Sequence, residues 1–268
     1  MSHSAATTKD NENSIKMEYS DMKSKSLINS KAYMSQTQLV LSEKHHPHSL
    51  HKVTDAIPCL FLPGLKKDKI VIFFHGNGED ISSAFEFGYF ICNELQTSVL
   101  IMEYRGYSVY GGSPSAAAIV EDACHVMEFM KAEGFDYKDI ILFGRSIGGA
   151  IALEVASKFQ VCSLVLLSPF LSLKKIAEDL YGKCASSLLK ETLDNSSIAP
   201  KVECPVLIIH GMKDSLVPFE HSVSILGQCK GYSRLKLVPN MTHVKFNFRF
   251  DFILPLKKFL EDIEVIIN

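Results

Sequence analysis

A serine between two glycines is the residue in this sequence whose setting most favours chemistry. Ile140 to Phe143 is an apolar run of strand length, and the pentapeptide GRSIG (144–148) follows it directly. A segment of small residues, Gly149 to Ala156, then suits a helix that lies close on a sheet. Strand, G-x-S-x-G turn and helix together predict a nucleophile elbow, in which a sharp turn lifts the hydroxyl of Ser146 above the sheet edge. The flanking glycines remove side chains that would collide there.

Two alternatives fit the same residues. Ser146 alone would suit the N-cap of an ordinary helix. A glycine-rich dinucleotide loop is the second alternative, but Ala150 occupies the position of its last glycine. Such a loop also normally follows the first strand of a domain instead of lying in mid-chain. Tyr232 and Lys236 have the spacing of a reductase Tyr–Lys pair, which we interpret as coincidence.

An aspartate and a histidine stand in equivalent places further along the chain. Asp214 follows the apolar segment PVLIIH (205–210), and His243 follows the last predicted strand, Arg234 to Val238. Because the carboxyl ends of parallel strands meet at one edge of a sheet, we expect both side chains near Ser146. The histidine would take the serine proton and the aspartate would hold the imidazole. The chain order Ser, Asp, His is that of the α/β-hydrolase fold.

Two main-chain N–H groups are predicted to bind the oxyanion that forms during acyl transfer. One belongs to Ile147, at the start of the helix beneath the serine, where the positive end of the helix dipole adds to its effect. The other comes from the loop HGNGED (75–80), which follows the apolar strand Lys69 to Phe74. We assign this second N–H to Asn77.

Other polar residues are interpreted as structural. Glu79, Asp80 and Glu103 lie early in the sheet, so they are poor partners for a late histidine. The loop with Arg105 and its neighbouring tyrosines could frame a pocket wall, but we favour a packed structural loop. The histidine-rich stretch at 45–51 predicts a solvated hairpin loop, because a metal site needs its ligands on a fixed scaffold. We therefore expect no metal and no cofactor.

The remaining apolar patterns predict alternating strands and helices. The further strands are expected at Gln38–Leu41, Ile57–Leu62, Ser98–Glu103 and Cys162–Leu167, and the further helices at Ile81–Leu95, Ala116–Ala132, Phe219–Leu226 and Phe248–Ile266. This alternation predicts an α/β fold, with a mostly parallel central sheet and helices on both faces. Residues 170–199 break the alternation with short amphipathic segments, which predict a small cap over an open site.

Composition is that of an ordinary globular protein. The chain has 268 residues, 47% of them hydrophobic, and a formal net charge of −2, so no basic surface points to nucleic acid. Residues 1–36 are polar and without periodicity, which predicts a disordered tail before one domain at 37–268. No signal peptide or membrane-spanning run is evident, and the seven cysteines lack C-x-x-C spacing. We expect a monomer in the reducing cytoplasm.

These motifs resemble those of the serine hydrolases of the α/β-hydrolase-domain 17 group and of the related Bem46-like group. The resemblance covers residues 57–260 and rests on HGNGED (75–80), EYRGYSVYGGSPS (103–115), DIILFGRSIGG (139–149), LLSPF (166–170), PVLIIHGMKDSLVP (205–218) and His243. It implies an α/β-hydrolase fold and cleavage of thioesters on S-acylated cysteines of membrane-attached proteins. It also implies that Ser146, Asp214 and His243 are the catalytic residues.

The chain departs from that group at three places. No cysteine precedes Cys59, whereas the group has an acylated, cysteine-rich N-terminal segment. The glycine that usually precedes the histidine is absent from residues 240–243, and Ser108 stands where glycine is commoner. The first departure puts membrane recruitment by that route in question.

The sequence therefore predicts a serine hydrolase that cleaves acyl esters or thioesters of an acylated protein or lipid, with protein depalmitoylation as one form of that activity. A lipid or small-ester carboxylesterase is the alternative within the same class. An inactive binding protein with the same fold is the alternative from another class, and the intact Ser, Asp and His argue against it. We expect a peripheral location at membranes as an alternative to a wholly cytoplasmic one. The acyl chain and the protein target stay open.

Overall fold

The computed structural model describes residues 38–43, 56–186 and 193–265. The disordered tail predicted at 1–36 and the hairpin loop predicted at 45–51 lie outside these residues. The strands are β1 Gln38–Glu43, β2 Ala56–Leu62, β3 Lys66–Phe74, β4 Thr97–Met102, β5 Ile140–Arg145, β6 Ser163–Leu167, β7 Val206–Gly211 and β8 Ser233–Val238. The helices are α1 Ile81–Leu95, α2 Ala116–Ala132, α3 Ile147–Ala156, α4 Leu173–Tyr181, α5 Lys183–Ser186, α6 Asn195–Ile198, α7 Glu220–Leu226 and α8 Leu254–Asp262.

The strands form one sheet in the order β1-β2-β4-β3-β5-β6-β7-β8. Strand β2 runs antiparallel to β4. The six strands β4-β3-β5-β6-β7-β8 are parallel to one another. Phe74, near the carboxyl end of β3, lies beside Met102 in β4 and Gly144 in β5. The parallel strands therefore end along one edge, and the loops that follow them meet there. The α/β-hydrolase fold predicted from the sequence is confirmed.

Both faces of the sheet are covered, because successive side chains along a strand point to opposite faces. On one face, Ile72 and Leu142 belong to a buried cluster with residues of α2 and α3. On the other, Phe73 and Phe143 stack with ring centroids 4.7 Å apart, and Phe87 of α1 lies 5.4 Å from Phe143. Every residue of β4, β6 and β7 is buried. Such continuous apolar runs are typical of central parallel strands.

The closing helix differs from its predicted range of 248–266. It begins with a π-helical turn at Phe248–Ile253, which Asn247 caps by accepting a hydrogen bond from the N–H of Phe250 at 2.9 Å. The α-helical part, α8, ends at Asp262, and Glu264 has a positive φ of 57° that cannot continue a helix. The prediction ran too far because apolar residues continue beyond the helix end.

The segment predicted to form a cap contains α4, α5 and α6, and residues 187–192 within it lie outside the description. One histidine of α7 ties this segment to the body of the domain. The Nδ1 atom of His221 accepts a hydrogen bond from the N–H of Leu171 at 2.9 Å, and its Nε2 lies 2.7 Å from Asp179 on α4. Burial lowers the pKa of His221, although Asp179 opposes the shift. The covering role of the segment stays a prediction.

Within residues 38–43, 56–186 and 193–265, no helix combines the length and apolar character needed to cross a bilayer.

Two neighbouring glycines at the start of α3 give a test of the fold. A Cβ on Gly148 would lie 2.0 Å from the main-chain oxygen of Phe74, and neither backbone can move away easily. We expect Gly148→Ala to lower the free energy of unfolding by about 3 kcal/mol, the upper range for overpacking. Unfolding in urea, followed by circular dichroism, measures the change.

Gly149→Ala is the matched control. Its Cβ would have its nearest neighbour 3.5 Å away, at Pro169, which is ordinary contact. Because alanine favours a helix more than glycine does, this variant should be unchanged or more stable by about 0.5–1 kcal/mol. Equal effects of the two substitutions would contradict the close contact between α3 and β3.

Candidate active site

Ser146 lies on the turn between β5 and α3 with a φ of +53°. A non-glycine residue with such a backbone is strained, and it persists only where the surroundings hold it. The turn is tight because a Cβ on Gly144 would lie 2.4 Å from the main-chain oxygen of Gly148. Gly148 in turn touches the backbone of Phe74, at the end of β3. This is the backbone that a nucleophile elbow requires.

Three side chains from separate loops meet above this turn. The Nε2 atom of His243 lies 3.1 Å from Oγ of Ser146, and its Nδ1 lies 2.7 Å from Oδ2 of Asp214. A carboxylate can only accept hydrogen bonds, so these partners assign a proton to Nδ1 of the imidazole. The lone pair on Nε2 then faces the serine hydroxyl. The arrangement can move a proton from the serine oxygen to the imidazole.

The carboxylate of Asp214 is fully buried, and four donors surround it. Its Oδ1 accepts hydrogen bonds from the N–H groups of Leu216 and Val217 at 3.0 and 2.8 Å. Its Oδ2 faces His243 and, at 3.3 Å, Nε2 of His210. Burial on its own would raise the pKa of Asp214, but these hydrogen bonds hold it well below its ordinary value. The carboxyl group is therefore ionised wherever the fold is intact near neutral pH.

The histidine loop is fastened to the aspartate loop by its backbone. The main-chain oxygen of Met241 accepts a hydrogen bond from the N–H of Lys213 at 3.0 Å. A Cβ on Gly211 would lie 2.2 Å from the same oxygen, so glycine is needed there. Thr242 closes the loop, because its N–H donates to the oxygen of Lys245 and its hydroxyl accepts from the N–H of Lys245, both at 3.0 Å. A threonine turn thus stands directly before His243.

The loop that follows β3 is joined to the elbow by an ion pair. Arg145, the residue before Ser146, binds the carboxylate of Glu79. The other oxygen of that carboxylate accepts a hydrogen bond from the N–H of Gly76 at 2.6 Å. One acid therefore fixes both the start of this loop and its distance from the elbow.

The two N–H groups predicted to bind an oxyanion belong to Asn77 in this loop and to Ile147 in the elbow. Neither N–H makes a hydrogen bond to any residue that the structure describes. The side chain of Asn77 is occupied, because its Oδ1 accepts a hydrogen bond from the hydroxyl of Tyr107 at 2.7 Å. Ile147 directly follows Ser146 in the chain, and the loop that contains Asn77 is held to the elbow by the ion pair of Glu79 with Arg145. The role of these two N–H groups as oxyanion donors stays a prediction.

Several known proteins are similar to this chain in sequence. Residues 66–198 match the family model described as "Serine aminopeptidase, S33". Alpha/beta hydrolase domain-containing protein aho-3 of Caenorhabditis elegans is 29% identical over 71% of this chain and 57% of its own length. Alpha/beta hydrolase domain-containing protein 17C of Xenopus tropicalis is 28% identical over 75% of this chain and 65% of its own length. Protein bem46 of Schizosaccharomyces pombe is 29% identical over 65% of this chain and 60% of its own length.

The chain has the α/β-hydrolase fold and is similar in sequence to the domain-17 and Bem46 proteins. The aligned part spans less than two thirds of the length of each of these relatives. Among solved structures, the Pyrococcus furiosus esterase Pf2001 superposes with a TM-score of 0.66 at 18% identity, over 84% of this chain and 92% of that one. At this identity the structural likeness concerns the fold alone.

In this α/β-hydrolase the three other acids that the sequence offered have separate partners. Glu79 holds the loop after β3, as described, and Asp80 caps α1 by accepting from the N–H of Ser83 at 2.7 Å. Glu103 is fully buried, where its Oε1 lies 3.2 Å from Nε2 of His75 and its Oε2 accepts from the N–H of Ile81. His75 and Glu103 thus lie behind the loop that follows β3 and support it. Asp214 is the acid that faces the histidine of the α/β-hydrolase site.

Arg105, interpreted from the sequence as structural, donates from Nε to Asp122 at 2.8 Å and binds the same carboxylate through a second nitrogen. The hydroxyl of Tyr110 donates to that carboxylate at 3.0 Å. Tyr107 is different, because it contacts Asn77. Its position in the loop RGYS gave no sequence signal for that contact.

His210 is a residue of the α/β-hydrolase site that the sequence analysis missed. It is fully buried at the end of β7. Its Nε2 faces two acceptors, the oxygen of Val217 at 2.9 Å and the carboxylate of Asp214, so Nε2 carries the proton. Its Nδ1 then accepts from the hydroxyl of Ser222 at 2.6 Å. The only sequence signal is a histidine four residues before the aspartate, at the end of an apolar strand.

The pKa of Asp214 predicts how stability depends on pH. In the unfolded chain the group has its ordinary pKa of about 3.9, whereas the folded pKa is lower. The ionised form therefore stabilises the fold above about pH 4, and this stabilisation is lost as the pH falls toward the folded pKa. We expect wild type to exceed Asp214→Asn in unfolding free energy by about 2–3 kcal/mol between pH 5 and 7, and by less below pH 4.

Urea unfolding at a series of pH values measures this difference. Glu133→Gln, which removes an exposed carboxyl after α2, is the control and should differ little from wild type. A difference between wild type and Asp214→Asn that is the same at all pH values would contradict the assignment.

Proposed function

We propose that this α/β-hydrolase is a serine hydrolase that cleaves acyl esters or thioesters. The observation that carries the proposal is the continuous row from Ser146 through His243 to Asp214, with separations of 3.1 and 2.7 Å. The positive φ of the serine and the N–H groups of Asn77 and Ile147, which make no hydrogen bond within the described residues, support the same function. An alcohol is a poor nucleophile near neutral pH, and an adjacent imidazole held in the right tautomer corrects this.

In the first half of the proposed reaction, Oγ of Ser146 attacks the carbonyl carbon and its proton passes to Nε2 of His243. The C=O bond becomes a C–O⁻ bond in the tetrahedral intermediate, and the N–H groups of Asn77 and Ile147 bind this oxyanion. Each such donor contributes about 3 kcal/mol to transition-state stabilisation. The buried Asp214 stabilises the imidazolium that forms.

The intermediate then collapses. The bond to the leaving thiol or alcohol breaks, His243 returns the proton to the leaving atom, and the acyl group stays on Ser146 as an ester. In the second half, His243 takes a proton from water, whose oxygen attacks the acyl carbon. The serine leaves with that proton, and a free carboxylic acid is released.

The substrate class we propose is a long-chain acyl thioester or ester, with S-acylated proteins as one form of it. The resemblance to the domain-17 group, which acts on S-acylated proteins, supports the thioester. A lipid or small-ester carboxylesterase is the second candidate, favoured by the likeness of the fold to esterases. We further propose that the protein works in the cytoplasm, on substrates held at membranes.

A fluorophosphonate probe tests the nucleophile directly. We expect wild type to be labelled and Ser146→Ala to give no labelled product, because the probe forms a covalent bond only with an activated serine. Ser157→Ala, at the far end of α3, is the control and should label as wild type does. Absence of labelling in folded wild type would favour an inactive binding protein.

A substrate panel separates the candidates. Purified wild type and Ser146→Ala would be given a palmitoylated cysteine peptide, a monoacylglycerol, a short-chain aryl ester and an aminoacyl amide. Release of palmitate at a higher kcat/KM than the other products is the result expected for the thioester proposal. Preference for the monoacylglycerol or aryl ester would favour the carboxylesterase, and cleavage of the amide would favour a peptidase.

The assignment of an oxyanion donor to the main-chain N–H of Asn77 predicts that two substitutions of this residue lower kcat to very different extents. Asn77→Ala keeps the main-chain N–H, so we expect kcat within about tenfold of wild type. Asn77→Pro removes that N–H and should lower kcat by about 100- to 1,000-fold. Tyr107→Phe, which only frees the asparagine side chain, serves as the matched control. A loss in Asn77→Ala as large as in Asn77→Pro would show that the side chain is the donor.

A further inference from the structure

Large apolar side chains are exposed in the two loops that carry Asp214 and His243. Met212 and Leu216, in the loop that carries the aspartate, are 47% and 46% exposed. Val244, which follows the histidine, is 66% exposed. The two loops are fastened together by the hydrogen bond from Lys213 to Met241, so these side chains share one part of the surface.

This part of the surface is also basic. Lys213 and Lys245 are exposed between the apolar residues, and Arg249 is exposed a few residues further on. The segments 211–217 and 241–250 together contain a single acid, Asp214, whose side chain is buried against the histidine. Exposed apolar groups interleaved with cations are the pattern of a protein surface that lies in a membrane interface.

We propose that these five residues, Met212, Lys213, Leu216, Val244 and Lys245, form a rim that docks on an anionic lipid surface. The charge of the rim complements anionic headgroups, and its apolar side chains protrude from loops, as insertion at the acyl boundary requires. An acidic peptide would satisfy the lysines but would leave the protruding apolar side chains without a matching environment. The lipid surface is therefore the occupant that both features favour.

The rim proposal rests on the proposed function, because a membrane-docking surface is useful here only if the site acts on acyl groups held in a membrane. Asp214 and His243 come from these same two loops, and His243 lies 3.1 Å from Ser146, so docking here would bring the serine hydroxyl close to the membrane surface. A substrate whose acyl group sits in the bilayer would then need to move only a short way to reach the hydroxyl. This route needs no cysteine in the N-terminal segment.

Vesicle binding of the full chain carrying Ser146→Ala tests the rim without interference from catalysis. We expect the protein to pellet with phosphatidylcholine vesicles that contain phosphatidylserine, and to release as salt is raised. Lys213→Gln with Lys245→Gln should weaken partitioning about 30-fold, the effect of two lysines near an anionic surface. Met212→Ser with Leu216→Ser and Val244→Ser should weaken it at least about tenfold.

Matched controls lie at the opposite edge of the sheet, where the strands begin. Lys138→Gln with Lys230→Gln removes the same charge there, and Leu65→Ser removes a side chain that is 84% exposed. Both controls should bind as the parent does. Equal losses in rim and control variants, equal binding to vesicles without phosphatidylserine, or binding to an acidic peptide in place of vesicles would each overturn the rim.

The hydrolase proposal and the rim proposal are tested by different measurements, so one can be overturned without the other. Fluorophosphonate labelling of wild type in vesicle-free buffer reports on the hydrolase, whereas pelleting of Ser146→Ala reports on the rim. Labelling without vesicle binding would overturn the rim and keep the hydrolase. Vesicle binding that depends on the rim, in a protein that does not label, would overturn the hydrolase and support the rim.

Discussion

The buried carboxylate of Asp214 is the group on which the rest of the site depends. An ion removed from water is costly unless hydrogen bonds replace its solvation. Here two main-chain N–H groups of its own loop, the imidazole of His243 and the imidazole of His210 supply that replacement. The loop after β7, the end of β7 itself and the loop after β8 must therefore all be in place before the charge can be buried.

Helix α7 contributes to this arrangement from behind. Ser222 donates to His210 and so fixes the tautomer that faces Asp214, while the preceding residue, His221, holds the segment of α4 through Leu171 and Asp179. Two adjacent residues on one helix thus connect the aspartate with the segment predicted as a cap. Because both contacts come from α7, a shift of this helix would displace His210 beside Asp214 and also loosen the segment that contains α4.

Much of the sheet could be predicted from the sequence because its strands are continuous apolar runs that end in glycine or polar residues. The elbow could be predicted because glycine is unfavourable in a strand or a helix. Its presence at 144 and 148 therefore indicates a tight turn in which a side chain would collide. The order of Ser146, Asp214 and His243 then followed from the rule that parallel strands share their carboxyl edge. Local pattern and topology together were sufficient there.

Contacts between distant segments could not be predicted in the same way. His210 lies in an apolar run and differs from a core histidine only through its neighbours in space. The bond between Tyr107 and Asn77 joins two loops that sequence alone treats separately. The end of α8 was also missed, because apolar residues continue past the point at which the backbone turns. Each of these depends on tertiary packing and not on periodicity.

The contact between Gly148 and the end of β3 has a consequence for how such a protein can diverge. It joins main chain to main chain, with no side chain between the start of α3 and the end of β3. Loop side chains other than the Glu79–Arg145 pair can therefore be exchanged without altering the spacing of these two segments. The side chains around Ser146 can then vary during evolution while the backbone that holds the serine keeps its shape.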